Sequence, residues 1–114
     1  MPIVNSVRKL WGEEHWHYNG ADYCMKVLVL NRGYQCSLHY HPVKAESFLC
    51  ISGEVEIELD GVVNVLTPGT SIDIPSGHPH RFSARTATAT VVEASTHHSD
   101  EDVVRLEDSR QVGQ

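Results

Sequence analysis

His39 and His41 stand two residues apart, and Glu46 follows five residues after the second. Side chains in a β-strand alternate faces, so both imidazoles point one way while Leu38 and Tyr40 point the other. If that strand forms part of a barrel wall, both rings face inward together. A pair of core histidines with satisfied hydrogen bonds is the simplest reading of such a spacing, but Glu46 argues for more. A carboxylate brought inside needs a positive partner, because an unpaired buried charge is strongly disfavoured. A divalent cation supplies one, and neutral imidazole is its usual nitrogen ligand. The fourth arm is in "GTSIDIPSGHPHRFSA", where Gly69 precedes Pro75, Gly77 and His80. The glycines allow tight turns and the proline ends a strand, so His80 arrives from a different strand and meets the first three groups across the interior.

The elements that must position these groups read as strands throughout. No segment sustains a helical period; short β-rich runs alternate with turn residues. "MKVLVL" ends at Asn31-Arg32-Gly33, and "EVEIEL" places Val55, Ile57 and Leu59 on one face with three glutamates opposite. Asp60-Gly61 then signals a two-residue hairpin into "VVNVL", because both central residues tolerate positive φ. "TSIDI", "HRFSA" and "TATVVEA" continue the pattern, which predicts an all-β barrel or sandwich of about eight short strands. Inward positions include Phe48, Ile72, Ile74, Phe82 and Val91, all apolar, and they predict a rather dry cavity. The last stretch, "SDEDVVRLEDSRQVGQ", is acidic and reads as a tail element or a strand exchanged with a neighbouring chain.

Composition narrows the function. A chain of 114 residues without repeat or linker is expected to form a single domain over 1–114. No apolar run is long enough for a membrane span, and "MPIVNSVRKLWGEEHW" lacks the pattern of a signal peptide. Cys24, Cys36 and Cys50 lie among apolar neighbours with no Cys-x-x-Cys pairing, as expected of buried reduced thiols in a cytoplasmic protein. The net charge of −6 with scattered basic residues argues against a nucleic-acid partner. Eight histidines fall in four close groups; His15/His17 and His97/His98 read as exposed polar residues near the ends.

These residues carry a resemblance. Gly33, His39, His41, Glu46 and Gly53 match the first motif of the cupin superfamily, and Gly69, Pro75, Gly77 and His80 match its second, where Ala84 replaces an asparagine. The resemblance spans roughly residues 25–94. It implies a small antiparallel β-barrel (a double-stranded β-helix, or jelly roll) with His39, His41, Glu46 and His80 holding one divalent ion, while His78 sits near the rim. Mn, Fe, Co, Ni and Zn suit such a mixed nitrogen and oxygen site. "LWGEEHW", "SLHYHPVKAESFLCISGEVEIEL", "PSGHPHRF" and "DVVRLED" further resemble the cupin half of type II mannose-6-phosphate isomerases. This chain departs from them at His39 (commonly Gln), in the Lys44–Phe48 segment, and after Asp108. The fold and the metal carry over; the substrate does not.

The resemblance implies metal-dependent isomerisation or epimerisation of a sugar or sugar phosphate. Lys44, between two ligands, and Arg81, beside His80, are candidate anion-binding groups, with His78 a further candidate substrate contact; ordinary surface charge is the alternative. A dioxygenase of a small organic substrate and a non-catalytic metabolite-binding module remain open readings. Small cupins are usually homodimers with crossing terminal segments, and "VRKLW" is a candidate exchanged strand.

Overall fold

A computed structural model describes residues 5–113; residues 1–4 and 114, the outermost positions of the expected domain, lie outside that description. Numbered along the chain, the strands are β1 (Asn5–Lys9), β2 (Gly12–Asn19), β3 (Cys24–Asn31), β4 (Tyr34–Gln35), β5 (Leu38–Tyr40), β6 (Glu46–Ser52) and β7 (Val55–Leu59). They continue as β8 (Val62–Leu66), β9 (Ser71–Ile74), β10 (His80–Ala84), β11 (Thr88–Ser95), β12 (Val104–Glu107) and β13 (Arg110–Gln111). Among the described residues there is no helix, and none is therefore long and apolar enough to cross a membrane.

The alternation read from the sequence produces these strands. In β3, Cys24, Lys26, Leu28 and Leu30 are buried, while Met25 between them is exposed. Val55 and Ile57 of β7, Phe82 and Ala84 of β10, and Ala89 and Val91 of β11 obey the same parity. Asp60 and Gly61 both take positive φ, 52° and 81°, and turn β7 back into β8 as the hairpin signal predicted. Gly53, at φ 71°, closes the turn after β6; a Cβ there would collide with the Thr88 carbonyl oxygen, so glycine is required twice over.

The strands form two antiparallel sheets, one ordered β1-β2-β3-β11-β6-β9 and the other β12-β5-β10-β4-β13, with β7 joined to β10 and β8 to β7. The sheets are not closed by hydrogen bonds; they face each other across a shared core, the all-β jelly-roll arrangement expected from the sequence. Phe48 of β6 meets Phe82 of β10 edge-on at 5.9 Å between ring centroids, and Trp11 packs on Phe82 at 5.0 Å. Cys24, Cys36 and Cys50 are buried and free, as read.

The terminal segments pair within the chain. β1 folds back on β2 through the short Leu10–Trp11 turn, β12 pairs with β5, and β13 with β4. The acidic tail is thus an edge of the second sheet, and "VRKLW" is half of a local hairpin.

Candidate metal centre

The four expected ligands converge from both sheets. His39 of β5 and His80 of β10 are direct register partners, so their side chains rise side by side from one sheet. Glu46 opens β6 on the facing sheet, and His41 follows β5 by one residue. One donor atom from each of the four lies within 4.8 Å of every other, and His41, Glu46 and His80 are buried.

Hydrogen bonding fixes which ring nitrogens face inward. Nδ1 of His39 lies 2.8 Å from the Ser37 carbonyl oxygen, Nδ1 of His41 lies 2.7 Å from that of Asp102, and Nδ1 of His80 lies 2.9 Å from that of His78. A carbonyl only accepts, so each Nδ1 carries a proton and each Nε2 is the ring nitrogen left facing the cluster. Donation of the second ring N–H to a backbone carbonyl is the arrangement that orients metal-binding histidines. His80 Nε2 and Glu46 Oε1 are 2.7 Å apart, yet both are buried without a hydrogen-bond partner. An unprotonated nitrogen and a carboxylate oxygen at that separation repel unless a cation lies between them. Adjacent donors at about 2.1 Å from an octahedral ion sit about 3 Å apart, so the residues fit a divalent cation.

The electrostatics keep His39, His41 and Glu46 in their binding forms. Burial lowers the His39 pKa from 6.5 to about 3, with the neighbouring His80 adding to the effect. Burial also lowers that of His41, and the Lys44 ammonium lowers it further. For Glu46 burial acts upward, but the contacts with His80 and Lys44 outweigh it and hold the carboxyl down at about 2. Protonation of His39, His41 and Glu46 is thus disfavoured.

A cavity of about 400 Å³ opens over the cluster, lined by His39, His41 and Glu46 together with Phe48, Phe82 and a set of charged residues. Ile72, Ile74 and Val91, expected to line it, do not; Ile74 and Val91 belong to the buried core and Ile72 packs against it. The cavity is not the dry one predicted, because Lys26, Lys44 and Glu93, all at most 5% exposed, point into it. Lys26 shares its face of β3 with Leu28 and Leu30, and Glu93 shares its face of β11 with Ala89 and Val91; strand parity alone marks both as inward.

The candidate anion-binding groups are already partnered. Lys44 Nζ lies 3.3 Å from Glu46 Oε2 and 3.1 Å from Glu93 Oε2. Burial acts to lower its pKa, but these two carboxylates outweigh that and keep it charged. Arg81 alternates away from His80, pairs with Glu58 at 2.7 Å and Glu107 at 3.2 Å, and does not line the cavity. His78 pairs with Asp60 at 2.6 Å outside the cavity.

Two residues of the tail approach the site with no sequence signal of their own. His98, read as exposed, lies against Lys44 Nζ at 3.0 Å and Asp100 at 2.9 Å, with its ring edge-on to Trp16. Burial, then Lys26 and Lys44, lower its pKa. Asp102 accepts the backbone N–H groups of Val43 and Lys44 at 2.9 and 2.8 Å, while its own carbonyl orients His41. Only the antiparallel return of the tail brings residues about sixty positions apart into contact.

Similarity to known proteins agrees with this geometry. Residues 26–96 match the family model described as "Cupin domain". A mannose-1-phosphate guanylyltransferase of Sinorhizobium fredii is 32% identical over 72 residues, 63% of this chain, which spans 14% of that relative's length. KdgF from Halomonas sp. superposes with a TM-score of 0.72 at 20% identity, covering 78% of this chain and 81% of that one. Oxalate decarboxylase from Bacillus subtilis superposes at 0.81 and 18% identity, covering 90% of this chain and 30% of that one. The last two likenesses concern the fold. With the family model matching well over half of its residues, and both motifs folded around one donor cluster, this chain belongs to the cupin family.

Proposed function

We propose that this cupin is a metal-dependent isomerase or epimerase of a sugar or sugar phosphate. The observation that carries the reading is the cluster of three imidazole nitrogens and one orphaned carboxylate oxygen beside a cavity large enough for a small metabolite. The named guanylyltransferase relative, whose substrate class is a sugar phosphate, supports the choice of substrate. His39, His41, Glu46 and His80 hold the ion. When bound, a divalent cation acts as a Lewis acid toward adjacent carbonyl and hydroxyl oxygens.

The chain supplies the rest. Glu93 is the proton-transferring group: its carboxyl lines the cavity, belongs to no ligand set, and is raised in pKa by burial and by Glu46 against the opposing Lys44. Lys44 bridges Glu93 and Glu46, fixing one carboxylate for proton transfer and the other for coordination. Phe48 and Phe82 shield one wall of the cavity from water. The protein works in the cytoplasm as one domain and as a homodimer.

Two measurements test the reading. Elemental analysis is expected to give one divalent ion per chain, lost in His80→Ala. With metal-loaded protein and a panel of aldose and ketose phosphates, solvent deuterium is expected to enter carbon-bound positions; no incorporation with any of them overturns the isomerase assignment. Oxygen uptake with a small organic substrate would point instead to a dioxygenase.

A further inference from the structure

We infer that Arg105 is the specificity-determining cation of the cavity and that the substrate bears an anionic group, a phosphate or a carboxylate, which this guanidinium binds. The inference rests on the site assigned above and names the class of molecule it takes.

The backbone register places Arg105. β12 pairs with β5 so that Arg105 stands opposite His39, and β5 pairs with β10 so that His39 stands opposite His80. Directly paired residues of antiparallel strands project from the same face, and neighbouring strands are about 4.8 Å apart. His80, His39 and Arg105 therefore form one row across three strands, with two donors of the cluster at one end and a guanidinium at the other. Arg105 lines the same cavity as His39, His41 and Glu46.

Charge pairing sets Arg105 apart from the other cations there. Lys9 has Glu14 at 4.0 Å, Lys26 has Glu14 at 3.7 Å, and Lys44 has Glu46 and Glu93 at 3.3 and 3.1 Å. Arg105, among the described residues, has neither a carboxylate within 4.0 Å nor a side-chain hydrogen bond. The other charges of the lining sum to −1, with Lys9, Lys26 and Lys44 facing Glu14, Glu46, Glu93 and Asp100, so Arg105 brings the eight to neutrality and a divalent ion leaves the cavity positive. A ligand resting its oxygens at the four-donor cluster meets the planar fork of Arg105 one strand further on. Such a fork binds phosphate or carboxylate by paired, charge-assisted hydrogen bonds.

The test is equilibrium binding to the full chain by calorimetry, with and without saturating Mn²⁺, using mannose 6-phosphate, glucuronate and mannose as probes. The expected result is that the charged probes bind at least about tenfold more tightly than mannose. Arg105→Ala removes that preference without altering ion stoichiometry, and Arg105→Lys restores part of it. Preference for mannose 6-phosphate alone assigns the anion as phosphate, and preference for glucuronate alone as carboxylate. Wild-type protein without an anion preference, or Arg105→Ala retaining one, overturns the inference. Absence of metal binding by wild type overturns the metal reading instead, and the metal-free titrations still decide the part played by Arg105.

Discussion

At the scale of single residues, His39, His41 and Glu46 are held in one protonation state by where they are. His39 has its pKa lowered from 6.5 to about 3, so between those values the unfolded chain carries a proton that the folded chain refuses. Its contribution to stability is complete above about pH 6.5 and drains away as pH falls toward about 3, by at most about 1.4 kcal/mol per pH unit for that proton. Glu46, lowered from 4.5 to about 2, has the same sign and extends the loss to lower pH. Urea unfolding of the metal-free protein should therefore show stability decreasing steadily below about pH 6.5; a flat profile contradicts the assignment. Glu93→Gln tests the proton-transfer role: turnover should fall by about a hundredfold or more with ion stoichiometry intact. The spacing of His39, His41, Glu46 and His80 made these four residues legible in the sequence. For Lys44 and Arg81 sequence shows a charge but not its partners, and each faces two carboxylates.

At the scale of elements, turns and the returning tail set the geometry. Gly53 takes φ 71° against the Thr88 carbonyl, so Gly53→Ala combines a disfavoured backbone with a clash. Denaturant titration should show it destabilised by about 1–3 kcal/mol. Asp102→Ala strips the partners from the backbone N–H groups of Val43 and Lys44. It should cost about 1–3 kcal/mol and weaken ion binding through a looser His41, both measurable by denaturation and metal titration. Strand identity was readable from alternation alone, as β3, β7, β10 and β11 show. The pairing of β12 with β5 was not, because it joins residues far apart in a tail whose composition announces only acidity. Alternation even contained the polarity of the cavity, since Lys26 and Glu93 follow the parity of their buried neighbours; the apolar majority of those strands concealed it.

At the scale of the molecule, the two sheets differ in what they leave uncovered. Val27, Val92 and Leu49 lie in one register row on the outer face of the six-stranded sheet, near Ile51, and Leu49 and Ile51 are 37% and 50% exposed. That face supports the homodimer proposed above. Light scattering should give a dimer for wild type and a monomer for Leu49→Asp/Ile51→Glu; a monomeric wild type refutes it. The motifs announced the family and the all-β fold, whereas the order of strands within the two sheets is not written in them. The stretch from His98 to Arg105 supplies the imidazole beside Lys44, the carbonyl that steers His41, the carboxylate that pins residues 43 and 44, and the guanidinium at the cavity. None of the four donor side chains of the cluster belongs to it. Evolution, or an engineer, can therefore retune what such a protein accepts within eight consecutive codons, provided that Asp102, which steadies His41 and its neighbours, is kept.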